Sequence, residues 1–142
     1  MNKLLLSVAM KGSYTSYAIY YEGKCLKHTT IELGKECNYI EKLMHGIIQG
    51  LRVVKNLVNE DMNKYDSLII ESSNSVVLKW INDYMSKGYE DLFSTLLDEL
   101  NSIPLMFHCV FINTPKARVY TSNKYVKKEK MYGIMDLEVG EK

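Results

Sequence analysis

Two glutamates are the side chains of this 142-residue sequence that best suit chemistry. Glu71 stands at the end of a short apolar run, and Glu41 lies near the start of a long amphipathic segment. Carboxylate oxygens are the ligands that hard cations such as Mg²⁺ and Mn²⁺ prefer. A metal-dependent catalytic site would therefore use Glu41 and Glu71, with Asp66 or Glu36 as a further ligand.

Each of these polar positions also has a structural interpretation. Asn38 and Glu41 have the N-x-x-E spacing of a capping box, which satisfies the free N–H groups at the start of a helix. Ser72, Ser73 and Asn74 follow a predicted strand, where such residues are ordinary helix caps. The sequence has no G-x-S-x-G motif to expose one of these serines as a nucleophile.

Other catalytic patterns are missing from the sequence. The histidines His28, His45 and His108 fall in three different predicted elements, which is typical of structural residues. The glycines never occur with G-x-G-x-x-G or G-x-x-x-x-G-K spacing. The sequence therefore predicts neither a histidine-centred site nor a phosphate-binding loop.

Composition and charge limit the remaining functions. A chain of 142 residues with 46% hydrophobic residues can bury the core of one globular domain. The net charge of +1 means that nucleic acid could be held only by a local basic patch. Cys25, Cys37 and Cys109 form no C-x-x-C pair, so we expect buried free thiols and a cytoplasmic location. The apolar start, Leu4 to Met10, is interrupted by Lys11 and predicts a strand rather than a signal peptide, and no membrane partner is expected.

Hydrophobic periodicity gives a clear order of elements. Three antiparallel strands are predicted first, then a long helix, a strand, two helices, a strand and a last helix starting at Pro115. The predicted bounds of the strands and the long helix are Leu4 to Met10, Tyr14 to Tyr21, Cys25 to Leu33, Tyr39 to Val58, Ser67 to Glu71 and Met106 to Ile112. Trp80 is expected beneath the helices.

This order, together with local motifs, resembles the ribonuclease H-like superfamily. The motifs are the run from Glu71 to Ile81 with Trp80, then Gly88-Tyr89, then Asp91-Leu92-Phe93. The resemblance covers Leu4 to about Lys128. It implies an α/β fold over residues 1–130, in which helices flank a five-stranded mixed sheet made of a three-stranded antiparallel meander and two further strands. Residues 131–142 are expected to form a tail that docks on the domain or on a partner.

The resemblance also implies a test of the chemistry. Active members hold two divalent cations with carboxylates from the first strand, the first helix, the end of the fourth strand and the last helix. The corresponding positions here are Val8 or Ala9, then Glu41 or Lys42, then Ser72, then Thr121, Ser122 or Asn123. At least three of the four are neutral. The resemblance therefore implies a catalytically degenerate domain with no cofactor, whereas the alternative is a divergent nuclease that uses Mg²⁺ or Mn²⁺.

Two segments near the end of the chain suit binding. The first is basic and interleaved with Tyr120 and Tyr125, which could stack on bases; its candidate nucleic-acid contacts are Lys116, Arg118, Lys124, Lys127 and Lys128. The second is the tail, whose candidate partner contacts are Met131, Tyr132, Ile134 and Met135. A solvated lysine face is the simpler explanation of the first segment, because the chain as a whole is not basic. The sequence therefore predicts a non-catalytic interaction protein that binds a protein or a nucleic acid, and it leaves the oligomeric state open.

Overall fold

A five-stranded mixed sheet forms the centre of the molecule. The computed structural model describes residues 2–34 and 36–126. The strands are β1 (Lys3–Lys11), β2 (Tyr14–Tyr21), β3 (Lys24–Glu32), β4 (Ser67–Ser72) and β5 (Met106–Phe111). They lie in the order β3-β2-β1-β4-β5, with β1 to β3 antiparallel and β4 parallel to both β1 and β5. The predicted meander with two further strands is confirmed.

Three α-helices cover one face of this sheet. They are α1 (Tyr39–Glu60), α2 (Ser75–Asp83) and α3 (Glu90–Asn101), and their apolar sides join the sheet in one core. Two short 3₁₀ helices, η1 (Lys116–Tyr120) and η2 (Asn123–Tyr125), follow β5 and lie on the other face. No helix in the described ranges is both long and apolar enough to cross a membrane.

The two faces of β1 differ in chemistry, and this difference decides what packs on each. Leu4, Leu6 and Val8 are buried toward α1, whereas Ser7 and Ala9 are buried on the other side, as the alternation of a strand requires. The helix α1 approaches closely because Gly46 and Gly50 have no side chain. A Cβ atom on Gly46 would lie 2.8 Å from Val8 Cγ1, and one on Gly50 would lie 2.5 Å from Leu6 Cδ1.

The predicted last helix is wrong. Pro115 is extended, with ψ of 149°, and the chain then forms the two 3₁₀ helices instead of a continuous α-helix. The cause is competition from the sheet: the Oγ atoms of Ser16 and Thr30 donate hydrogen bonds to the carbonyl oxygens of Ala117 and Tyr120. These carbonyls are therefore engaged by side chains of the sheet instead of by the N–H groups four residues further along the chain.

Two predictions about burial also need correction. Trp80 is only partly buried, at the edge of the core, with its ring 6.3 Å from the rings of both Tyr89 and Phe93. The cysteines are free but not fully buried, since Cys25 is exposed and the other two are half-buried. Periodicity identified the apolar side of α2, but it could not show how far that side extends beneath its neighbours.

The substitution Leu51→Asp tests the packing of α1. Leu51 has no solvent exposure, so an unpaired charge at this position should lower the free energy of unfolding by about 3 kcal/mol or more. The exposed Asn56 lies on the same helix, and Asn56→Asp should change stability by less than about 0.5 kcal/mol. Denaturant titrations of both variants measure the difference. A Leu51→Asp protein as stable as the wild type would contradict the described packing.

Candidate functional site

The carboxyl ends of β1 and β4 lie side by side at one edge of the sheet, the edge at which these strands end. Their parallel register pairs Ser7 with Glu71 and Val8 with Ser72. Val8 and Ser72 share the face that α1 covers, and both are buried. Ser72 Oγ accepts a hydrogen bond of 3.2 Å from the backbone N–H of Asn74, and Asn74 Oδ1 caps α2 by accepting from Val77 N at 2.9 Å. The polar run after β4 therefore serves as a turn and helix cap.

Glu71 points to the opposite face of the sheet and has a structural partner there. Its Oε2 accepts a hydrogen bond of 2.8 Å from the backbone N–H of Lys116, at the start of η1. Next to it, Ser7 Oγ accepts one of 2.9 Å from the N–H of Ala117. Glu71 is buried in this position. Its carboxylate is therefore used to hold η1 on the sheet and faces away from α1.

Glu41 is engaged at the start of α1. Its Oε1 accepts from Asn38 N at 3.0 Å, while its own N–H donates to Asn38 Oδ1 at 2.9 Å, so the predicted capping box is confirmed. Because α1 and η1 lie on opposite faces of the sheet, Glu41 and Glu71 are separated by the sheet itself. The structure does not bring this predicted pair together.

The two further ligands proposed for an acidic site do not complete one. Asp66 lies just before the amino end of β4, at the opposite end of this strand. Its Oδ2 accepts a hydrogen bond of 3.1 Å from Asn2 N. Glu36 is exposed in the loop before α1. Among residues 2–34 and 36–126, no three histidine, cysteine, aspartate or glutamate side chains are placed to share a metal ion. The donor set described at this edge therefore does not fit two divalent cations.

A groove opens at this edge, around the end of β1. It consists of two depressions that share Lys11 and Gly12, with volumes of about 240 Å³ and about 520 Å³. The smaller one is also lined by Met10, Cys37, Asn38, Tyr39 and Lys42. The larger one is also lined by Ser13, Tyr14, Thr121, Ser122 and Asn123. We call this pair of depressions the edge groove.

The charged side chains that line the edge groove are the lysines Lys11 and Lys42. Lys11 is exposed, and Lys42 Nζ donates to the carbonyl oxygen of Gly12 at 3.4 Å. No lining residue is acidic. The carboxylates near the groove are not part of its lining: Glu41 belongs to the capping box, Glu32 accepts from Ser13 Oγ at 3.2 Å, and Glu36 is exposed in the loop before α1. Ammonium, hydroxyl and amide groups in this arrangement suit the oxygens of an anion.

The cysteine in the edge groove is not activated as a nucleophile. Burial raises the pKa of the Cys37 thiol, and the negative charges of Glu41 and Glu36 act in the same direction, against a smaller opposing effect of Lys42. The thiolate is the reactive form of cysteine. Cys37 is therefore a neutral thiol at physiological pH and belongs to the wall of the groove.

The predicted basic segment is only partly in the described part of the chain. Lys116, Arg118 and Lys124 are exposed, but the first two lie on η1 and Lys124 lies on η2, so they do not share one helical face. Lys124 follows Asn123 at the rim of the edge groove, with its Nζ 5.2 Å from the centre of the Tyr125 ring. Lys127 and Lys128 lie outside the described residues, as do Met131, Tyr132, Ile134 and Met135 of the tail.

The tyrosines of this segment already have intramolecular partners. The Tyr120 ring stacks on His28 with centroids 4.0 Å apart, and Tyr125 meets both rings edge-on. The pKa of Tyr120 is raised mainly by a hydrogen bond with the Cys25 thiol, and burial adds to the effect. Burial likewise raises the pKa of Tyr20. This cluster attaches η1 and η2 to β3, so Tyr120 is not free to stack on a base.

Sequence reasoning missed Lys11 and gave Lys42 only as the alternative to Glu41. Lys11 was interpreted as the residue that interrupts an apolar run, because a lysine at a strand end is usually solvated. The available signal was its position: Lys11-Gly12 ends β1, at the edge where the resemblance places the ligands of the first strand and the first helix. A lysine at that edge would repel a divalent metal ion, whereas a neutral residue would not.

Comparisons with known proteins agree with this architecture. No protein-family model and no curated protein matches the sequence. Among solved structures, RNase H1 from Halobacterium salinarum NRC-1 superposes with a TM-score of 0.60 at 11% identity, covering 93% of this chain and 98% of that one. LC11-RNase H1 in complex with an RNA/DNA hybrid gives a TM-score of 0.65 at 11% identity, covering 92% of this chain and 99% of that one.

A third structure is an N-terminal RNase H domain from Mycobacterium tuberculosis, with a TM-score of 0.62 at 11% identity over 96% of this chain and 99% of that one. This chain has the ribonuclease H-like fold. Similarity at this level of identity concerns the fold alone, so the function has to be argued from the side chains.

The substitution Glu71→Ala tests the structural role of that carboxylate. Removing the acceptor leaves the Lys116 N–H without its partner, so the free energy of unfolding should fall by about 1–3 kcal/mol. Glu71→Gln retains a neutral acceptor oxygen and should cost less. Denaturant titrations give both values. Two variants as stable as the wild type would show that the hydrogen bond contributes nothing to the attachment of η1.

Proposed function

We propose that this protein is a non-catalytic nucleic-acid-binding domain, in which the edge groove contacts the phosphate backbone without a metal ion. The observation that carries this proposal is the identity of the groove's charged residues. Lys11 and Lys42 line the edge to which the resemblance assigns metal-binding carboxylates, and no lining residue is acidic. The arrangement reverses the sign of charge that a two-metal site requires.

The reversal has a direct chemical consequence. In two-metal hydrolysis the cations neutralise the phosphate and also orient and activate the attacking water. A lysine ammonium is a compact positive charge with three donors, and it can bind a phosphate oxygen directly. It does not lower the pKa of a bound water as a metal ion does. Lysines in these positions therefore support phosphate binding and provide no activated nucleophile.

The surroundings of the lysines favour a nucleic-acid strand over a protein surface. Polar side chains make up many of the lining residues, and Ser122 and Asn123 add hydroxyl and amide groups to the two lysines. Such groups, together with lysine, make most protein contacts to phosphate and sugar. The exposed Lys124 extends the positive charge along one rim. Because the chain as a whole is nearly neutral, we expect moderate affinity with a clear dependence on salt.

The alternative is a divergent nuclease with a rebuilt acidic site. It would require Glu41 and Glu71 to leave their hydrogen bonds and to meet across a sheet that separates them. The described geometry supports the non-catalytic proposal over this alternative.

Binding can be tested with a labelled RNA/DNA hybrid and single-stranded RNA by fluorescence anisotropy, at low salt and with EDTA present. The double variant Lys11→Glu/Lys42→Glu should weaken binding by about tenfold or more and reduce the slope of log affinity against log salt by about 2, because two phosphate contacts are lost. A matched control is Lys3→Glu/Lys24→Glu, which makes the same change in net charge at exposed positions on the opposite edge of the sheet. Equal losses in both variants, or no binding by the wild type at low salt, would contradict the proposal.

Catalysis can be tested separately with the same substrates in Mg²⁺ or Mn²⁺. The expected result is intact substrate over long incubation. Cleavage that disappears in Glu41→Gln or Glu71→Gln would instead establish the divergent nuclease. Cleavage that persists unchanged in both variants would indicate a contaminating enzyme, which repeated purification should remove.

A further inference from the structure

The strand β5 forms one edge of the sheet and presents an open backbone. Among the residues that the structure describes, β5 pairs with β4 alone. Its pairing with β4 extends to Ile112, whose N–H donates to the carbonyl oxygen of Ser72 at 3.0 Å. Within residues 2–34 and 36–126, the opposite side of the strand therefore has no backbone partner over Met106 to Ile112.

The two edge strands of the sheet, β3 and β5, differ in how far they are protected against pairing with another strand. Edge strands are normally protected by charged residues, prolines, bulges or a covering segment. The edge strand β3 carries Lys24, Lys27 and Glu32, has a register irregularity against β2, and is bridged by Val126 at Thr30. From Leu105 to Ile112, by contrast, there is no lysine, arginine, aspartate, glutamate or proline. The contrast indicates that β5 has a strand partner.

Exposed apolar side chains are concentrated at the same edge. Met106 is 81% exposed, Phe111 is 54% exposed and Ile112 is 37% exposed. Tyr84 and Met85, at the end of α2, are also exposed, and the Tyr84 ring lies 6.3 Å from that of Phe107. Half of the large hydrophobic side chains that are exposed in the described part of the chain therefore lie on or beside β5.

We propose that β5 pairs with β5 of a second copy of this chain, antiparallel across a two-fold axis normal to the sheet, to form a continuous ten-stranded sheet. Such an axis places the helices of both copies on the same side. Residues that pair across this axis therefore lie on the same face of the sheet. A register shifted by one residue would pair opposite faces and is not allowed. The register that uses the whole strand is centred on Cys109.

This register is self-complementary at every position. It places Met106 opposite Ile112 and His108 opposite Val110 on one face, and Phe107 opposite Phe111 on the other. No pair contains a formal charge when His108 is neutral. Apolar and aromatic pairs across adjacent strands stabilise a sheet. The exposed Phe111 of one copy would lie against the Phe107 ring of the other, which already contacts Tyr84. A second copy thus covers the side chains that a single copy leaves exposed.

The register can be tested by exchanging charges at its outer pair. In Met106→Lys/Ile112→Lys, each lysine faces a lysine of the other copy, so the dimer should dissociate with a dissociation constant raised by about tenfold or more. Met106→Glu/Ile112→Glu should do the same. An equimolar mixture of the two variants should form a heterodimer, because every lysine then faces a glutamate. Sedimentation velocity over a concentration series measures all three samples.

The controls separate this proposal from loss of folding and from other partners. Leu26→Lys makes a similar change on the edge strand β3 and should leave the dimer intact. Circular dichroism spectra like that of the wild type, with a cooperative thermal melt, would show that the charged variants are folded, as expected from the exposure of Met106 and Ile112. Charge exchange is preferable to a Cys109 disulfide, because burial raises the pKa of that thiol to about 11 and makes its oxidation slow.

Three outcomes would overturn the proposal. A wild-type protein that remains monomeric at all concentrations would mean that another occupant, such as the end of this chain or a different protein, covers β5. A dimer that survives the lysine pair would place the interface elsewhere. A mixture that fails to associate would exclude this register. None of these outcomes depends on nucleic-acid binding, so this proposal and the proposed function can fail separately.

Discussion

The hydrogen bonds between the polar face of the sheet and the backbone of η1 determine much of this structure. Ser7 and Glu71 accept from consecutive N–H groups of η1, while Ser16 and Thr30 donate to carbonyl groups of the same segment. These side chains are buried, and a buried polar group without a partner is costly. The segment after Pro115 is therefore held on the sheet through both its N–H and its carbonyl groups, and it forms two short 3₁₀ helices rather than a continuous α-helix.

This attachment also accounts for the chemistry of the site. Glu71 is the acidic residue closest in sequence to the end of β4. Its carboxylate accepts the hydrogen bond from Lys116 N–H. On the other face, Lys42 spans from α1 to the carbonyl of Gly12, at the end of β1. The Glu71 carboxylate is thus bonded to the backbone of η1, and the charged group nearest the end of β1 on the other face is an ammonium group. Neither Glu71 nor Lys42 belongs to the hydrophobic core, which forms on the apolar face of the sheet.

The sequence was sufficient to predict the sheet, α1 and its capping box, because each depends on local periodicity or on a short motif. Leu4, Leu6 and Val8 could be assigned to a buried strand without knowing what covered them. The absence of a continuous last helix could not be predicted in the same way. Its determinants, Ser7, Ser16, Thr30 and Glu71, lie 45 to 110 residues away in sequence from the groups that they bind in the two 3₁₀ helices and at their start. The importance of Lys11 was hidden for a similar reason, since its neighbours in the edge groove come from three separate segments.

The position of η1 has a second effect, on the far half of the same face. Because η1 packs on β1, β2 and β3, it leaves the outer part of the face formed by β4 and β5 without cover in the described structure. Met106 and His108 are exposed there, beside a shallow depression of about 270 Å³ that is lined mainly by apolar residues. A longer final helix could have shielded this region and the open edge of β5. The same contacts that bond the Glu71 carboxylate to the backbone of η1 therefore also determine which part of this face stays open in the described structure.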